Sequence, residues 1–151
     1  MKLENRVPPP VVLVGIGLAM WPLAGMAPVW PASMTLSIFA GLLLVLGVLV
    51  IALGANRFRA AGTTIDPTRP ERAAALVVDG IYRHTRNPMY LGFALILLAW
   101  AMHLRSGLAL AGPVVFVLYI GRFQIVPEER ALRKRFGSAF EAYVTHVRRW
   151  M

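Results

Sequence analysis

Four apolar runs, at residues 7–30, 33–54, 91–104 and 108–126, alternate with polar segments along the chain. Only Lys2, Glu4 and Arg6 carry charge ahead of the first run. A secretory signal would have an apolar region of about 7–15 residues and a small-residue cleavage site. This run is longer and no A-x-A site follows it, so it predicts a retained helix, kinked at Pro22 and anchored at an interface by Trp30. Pro28 and Pro31 mark a short uncharged turn. The run 33–54 is the clearest spanning helix, because about 20 apolar residues cross the hydrocarbon of a bilayer. Ala40, Gly47 and Gly54 recur every seven residues along it, and Gly15 and Ala19 form a small patch on the first helix. Small residues in register let helices approach closely in lipid, so these two patches are expected to face each other.

The last two apolar runs are separated only by His103, Arg105, Ser106 and Gly107, a turn too short for anything but a helical hairpin. The third helix is short, and a tilt or partial lipid exposure is expected for it. Residues 55–87 are polar instead, with Arg57, Arg59, Arg69, Arg72, Arg83 and Arg86, and with Asp66, Glu71 and Asp79. Thr68 and Glu71 have capping-box spacing, which predicts a short helix through Arg72–Leu76. The embedded AAALVV stretch and the tight turns at Gly62 and Asp79-Gly80 indicate an ordered loop.

After residue 126 the periodicity changes. Leu132, Phe136, Phe140, Tyr143 and Val147 form an apolar stripe at helical spacing, opposed by Arg133, Lys134, Arg135, Arg148 and Arg149. Gly137 breaks this segment, and Ser138 with Glu141 is placed to cap a second short helix. By itself the stripe reads as an interfacial helix on anionic lipid. The expected fold is therefore all-α: a polytopic membrane protein of about four transmembrane helices with an amphipathic helical tail. It is one domain over 1–151, with two scaffold helices in 1–54 and the polar chemistry in 55–151.

Composition narrows this picture. The chain has 151 residues, 58% hydrophobic and 15% charged, more apolar surface than a soluble domain of that size buries. Cysteine is absent, which excludes disulfides, thiolate catalysis and zinc–thiolate or iron–sulfur centres; no metal site is expected. The net charge of +9 reflects 16 Lys and Arg, of which 14 lie at the N-terminus, in 55–87 or in 127–151. Basic residues that flank apolar runs predict cytoplasmic loops beside anionic lipid rather than a nucleic-acid surface. Arg105 is the only charge in the hairpin turn, so the turn lies outside and both termini are expected in the cytoplasm, as in a bacterial inner membrane. Arg122 lies inside an apolar run, where a charge is either functional or snorkels to the nearby surface.

Two polar clusters then fall at the two ends of one hairpin and should be spatial neighbours: Tyr82–Gly92 and Pro127–Arg130. Pro88 suits the first turn of a helix, with Asn87 as its N-cap. The run GIYRHTRNPMYLG, followed by PEERALRKRFGSAFEAYVTHVRRW, resembles the isoprenylcysteine carboxyl methyltransferase and phospholipid methyltransferase superfamily of membrane enzymes. The matching positions are Gly80, Tyr82, Arg86, Pro88, Tyr90 and Gly92, then Glu128, Glu129, Leu132, Phe136, Gly137, Phe140 and Tyr143, with Phe58, Gly62 and Thr63 upstream. The resemblance covers 55–151. It departs at Asn87, where the family frequently has histidine, and asparagine carries no proton near neutral pH. His84 is either a substitute or a solvated interfacial residue.

The resemblance implies S-adenosylmethionine as cofactor, in a pocket closed by the loop and the tail helices, and a lipophilic or lipidated acceptor entering from the bilayer. It assigns cofactor binding to Tyr82, His84, Arg86, Asn87, Pro88, Tyr90, Leu91, Gly92, Glu128 and Glu129, and catalysis to Arg86, Asn87 and Glu129. Neighbouring helical residues point about 100° apart, so one of Glu128 and Glu129 is expected to face the cofactor and the other to pair with Arg86 or Arg130. Sterol reductases, which bind NADPH, resemble the same block but are longer chains with more helices. A non-catalytic membrane subunit of the same fold is the third reading. Membrane lipids are expected neighbours, and the small-residue stripes would permit a homodimer.

Overall fold

Helices account for all the regular structure among the described residues of the computed structural model, which are Glu4, 6–63 and 73–151. In order they are α1 (Pro9–Ala24), α2 (Met34–Ala60), a 3-10 turn (Gly80–Arg83), α3 (Pro88–Leu104), α4 (Ala111–Ile120), α5 (Val126–Phe136) and α6 (Ser138–His146). A short 3-10 turn at Leu108–Leu110 leads into α4, and a π-helical turn at Gly121–Ile125 joins α4 to α5. Two stretches are long and apolar enough to cross a membrane, Met34–Ala60 and Leu108–Phe136; α1 and α3 are apolar but shorter.

α1 begins on proline and ends two residues after Pro22. Pro22 therefore sits in the last turn and does not kink a helix running to residue 30, because a ring that blocks one backbone hydrogen bond costs least where the helix is ending. Trp30 lies beyond it in the α1–α2 connection, where its N–H donates to the Arg105 carbonyl at 2.7 Å and Val29 bridges to Ser106. The two turns at this end of the molecule are thereby clasped together. The turn at Arg105 is left-handed, with φ 55°.

α2 is capped by Ser33, whose hydroxyl faces the Leu36 N–H at 3.5 Å, and it runs to Ala60, six residues past the apolar run. At 27 residues it is about 40 Å long. Leu42, Val45, Leu49 and Leu53 on its outer side are each more than half exposed, an apolar surface that only lipid covers at low cost.

The small-residue stripe of α2 is buried, but its partner is α3 and not the patch on α1. A methyl group on Gly47 would stand 2.8 Å from the Gly92 carbonyl oxygen, and one on Gly92 would stand 2.6 Å from that of Gly47. Gly15 and Ala19 of α1 are exposed. The stripe is thus used within the chain, where α3 offers a glycine of its own. Gly92→Ala is expected to cost about 2 kcal/mol of stability through overpacking against backbone. The control Gly41→Ala has nothing within 4 Å of the added methyl and should be neutral. Thermal unfolding in detergent compares the two, and equal midpoints would refute the close α2–α3 contact.

α1 packs on the opposite side of α3. The Trp100 Nε1–H donates to the Gly17 carbonyl at 3.0 Å, and Met20, Leu97, Ala101, Phe116 and Ile120 fill the core between α1, α3 and α4. Pro127 has no N–H to return to the preceding turn, and there the helix widens: the Val126 N–H bonds to the Gly121 carbonyl. Arg122, just within this turn, snorkels outward; its side chain is 49% exposed and lies 3.4 Å from Glu4.

The proposed helix through Arg72–Leu76 is not present over Ala73–Leu76, which is irregular; its first residues, 68–72, lie outside the described residues. Ala73 and Val77 are instead buried, and Thr63 takes the capping role there by accepting from the Ala74 N–H at 2.8 Å. α6 follows Gly137, at φ 53°, with no side-chain cap: Ser138 is already helical, and Glu141 is ion-paired with Arg133. A carboxylate facing a guanidinium on α5 is better neutralised there than by a backbone N–H.

Candidate functional site

The hairpin does bring its two polar clusters together. The Tyr90 hydroxyl on α3 donates to Glu128 Oε1 on α5 at 2.6 Å, and Gln124 Nε2 donates to the same oxygen at 3.1 Å. Gln124 reaches inward because the π turn rotates it there, and it is 2% exposed.

A cavity opens beside this contact. One wall is the start of α3 with the turn before it (Tyr82, Arg86, Asn87, Pro88, Met89, Tyr90); another is α5 with Glu128, Glu129 and Leu132. Phe140 and Tyr143 of α6 and the loop residues Ala73, Leu76 and Val77 close it, and Phe58 contributes from the end of α2. The stripe Leu132–Phe140–Tyr143 therefore faces the cavity rather than serving only as a lipid-facing surface. Arg133, Lys134 and Arg135 remain outside and exposed.

The electrostatics centre on Glu129. Arg149 grips it with two bonds, Nε to Oε1 at 3.0 Å and Nη2 to Oε2 at 2.6 Å, while Arg86 Nη2 stands 3.2 Å from Oε1. Arg86 and Glu129 have side chains only 12% and 14% exposed. Two buried nitrogens of Arg86, Nε and Nη1, have no hydrogen-bond partner among the described residues. A guanidinium prefers to satisfy all five N–H groups, and unpaired buried donors are uncommon. Arg130, the other partner considered for the acidic pair, instead lies 3.4 Å from Glu4.

The hydroxyls of the site stay protonated. Burial pushes the Tyr82 phenol well up, with a further push from Tyr143 and Glu128, and burial raises Tyr143 against a downward pull from Arg86. Tyr143 spends its proton on the Tyr82 carbonyl, at 2.7 Å, tying α6 to the start of α3. The hydrogen bonds to Glu129 raise the pKa of Arg149. The Phe58 ring meets Tyr82 edge-on, with centroids 5.5 Å apart, so aromatic faces border the charged ring of residues.

Of the residues singled out in the sequence, Tyr82, Arg86, Asn87, Pro88, Tyr90, Glu128 and Glu129 line the cavity. His84, Leu91 and Gly92 do not. His84 ends the 3-10 turn on the exposed side, and Gly92 is occupied by its contact with α2. Asn87 precedes α3 but makes no side-chain cap; its Nδ2 donates across the site to the Arg149 carbonyl at 2.9 Å. Sequence reasoning missed Gln124, Thr85 and the inward role of Arg149. The polar Gly-Arg-Phe-Gln interruption before Pro127 was a usable signal for the first; the other two have none, since their contacts run to main chain or across a fold.

Among the described residues no group of three or more His, Asp or Glu is placed to hold a metal. A family model described as phospholipid methyltransferase matches residues 35–139. A protein of Haemophilus influenzae, described only as uncharacterized, is 46% identical over 63 residues, which is 42% of this chain and all of that protein. No solved structure matches.

Proposed function

The chain belongs to the phospholipid methyltransferase family and is a membrane protein, and we propose that it uses S-adenosylmethionine to methylate a lipophilic acceptor at the membrane surface. The observation that carries this reading is Arg86: a buried guanidinium on the cavity wall with two N–H groups unpaired. A carboxylate matches that fork, and the methionine part of the cofactor carries one. Phe58, Tyr82 and Phe140 present aromatic surface, and Glu128 a carboxyl group, on the same cavity, as suits a ligand that is also a cation at sulfur. The residues present therefore fit the group.

S-adenosylmethionine, when bound, supplies a methyl group on a positively charged sulfur. The chain supplies the rest. Arg86 orients the ligand's acid end, the aromatic side chains and the loop 73–77 exclude water, and the protonated Tyr82 and Tyr143 act as fixed donors rather than bases. Methyl transfer to an acceptor with its own nucleophile needs alignment more than proton transfer, consistent with Asn87 standing where the family frequently has histidine. The acceptor is lipid-borne, an isoprenylcysteine carboxylate-like or phospholipid-like group. α1 and α3 join the two long spans to make four membrane crossings. Arg57, Arg59, Arg83, Arg133, Lys134 and Arg135 at the site end, against Arg105 alone at the other, favour a cytoplasmic site and termini in a bacterial inner membrane.

Calorimetry on the purified protein with S-adenosylmethionine, S-adenosylhomocysteine and NADPH tests the cofactor. Binding of the first two and not the third is expected. Binding of NADPH alone would make the chain a reductase, and binding of none a non-catalytic subunit.

A further inference from the structure

After α6 the chain turns extended at Val147 and runs back over the start of α3, where it is held almost entirely by main chain. The Arg86 N–H donates to the Arg148 carbonyl at 3.0 Å. The Arg149 carbonyl accepts from two side chains, Asn87 Nδ2 at 2.9 Å and Thr85 Oγ1 at 3.2 Å, and Thr85 Oγ1 in turn accepts from the Asn87 N–H. Trp150 packs against the core cluster that contains Tyr90. From this fixed backbone the Arg149 side chain reaches Glu129 with its two-pronged grip, and Glu129 faces Arg86.

We infer that residues 147–150 form a strap that completes the cofactor site, and that Asn87 is the positioning residue that seats it. The physical sequence is short. Asn87 fixes the Arg149 carbonyl, which aims the Arg149 fork at Glu129. With both carboxylate oxygens held, Glu129 takes a single contact from Arg86, and the remaining guanidinium edge of Arg86 stays free for a ligand. Without the strap Glu129 swings fully onto Arg86, a bidentate pair being the preferred geometry, and the free edge is lost. Asn87 acts here as a hydrogen-bond donor that never exchanges its proton, a task asparagine performs at any pH. The ligand half of this inference rests on the methyltransferase reading; the seating of the strap does not.

Hydrogen–deuterium exchange with mass spectrometry, on the full chain in detergent, reads the seating through the Arg86 amide and the peptide over 147–150. Calorimetry with S-adenosylhomocysteine reads the site. In Asn87→Ala both segments are expected to exchange at least tenfold faster than in the wild type, with S-adenosylhomocysteine affinity down roughly tenfold. Asn87→His, which retains a ring N–H donor at similar reach, should restore both, a rescue that a general loss of packing would not give. Exchange unchanged in Asn87→Ala overturns the strap. Faster exchange with unchanged affinity overturns its part in the site. A wild type that binds no S-adenosylhomocysteine refutes the cofactor reading, and the exchange rates still decide whether Asn87 seats the strap.

Discussion

Arg86→Gln is expected to lower affinity for S-adenosylhomocysteine roughly 100-fold while leaving thermal stability nearly unchanged. The two halves have separate causes. A charge-assisted, forked contact to a carboxylate is worth about 2–3 kcal/mol, and each 1.4 kcal/mol is about tenfold in affinity. In the free protein, however, Arg86 contributes one salt-bridge contact to Glu129 and leaves Nε and Nη1 buried without partners. Its removal relieves those unpaired donors, and Glu129 keeps its two bonds to Arg149. The net change in stability should stay within about 1 kcal/mol. Calorimetry and thermal unfolding on the same preparation give both numbers. A stability loss as large as the affinity loss would make Arg86 a structural cation and remove the main support for a bound carboxylate.

Glu129→Ala should behave in the opposite way and lose both properties. Glu129 neutralises two guanidiniums, and the Arg86 side chain, 12% exposed, cannot escape to water as the half-open Arg149 can. Removing one partner of a buried pair typically costs about 3–5 kcal/mol; the lower end applies here because only one of the two cations is trapped. Activity should fall at least about 100-fold, since both Arg86 and the strap lose their reference point. The measurable signature is the contrast. Arg86→Gln is a binding defect in a stable protein, Glu129→Ala a binding defect in an unstable one, and Arg86→Gln added to Glu129→Ala should recover part of the lost stability. No recovery in the double variant would show that the unpaired Arg86 charge is not what destabilises Glu129→Ala.

The candidate site was legible in the chain to different depths. Tyr82, Arg86, Pro88, Tyr90, Glu128 and Glu129 were visible as two polar clusters at the ends of one hairpin, and short connections make such ends neighbours. Which acid faces what was not visible. Glu128 meets Tyr90 and Gln124, and Glu129 meets Arg86 and Arg149, because the π turn before Pro127 resets the helical phase by a fraction of a residue. His84 was drawn toward the site by its neighbours in sequence, but the 3-10 turn at Gly80–Arg83 delivers it to the exposed side.

What the sequence determined by itself was the all-helical character, the two long apolar stretches and the family. These follow from local quantities: apolar side chains partition out of water, and a helix satisfies its own backbone wherever it lies. Only the tertiary structure decided which surfaces meet. The small-residue stripe of α2 found Gly92 of α3 rather than Gly15 and Ala19 of α1, a choice set by how three helices share one interface. The strap was hidden for a further reason: the Arg148 and Arg149 carbonyls that hold Arg86, Thr85 and Asn87 are main-chain groups, present at every residue and therefore silent in the sequence until the fold puts one within reach.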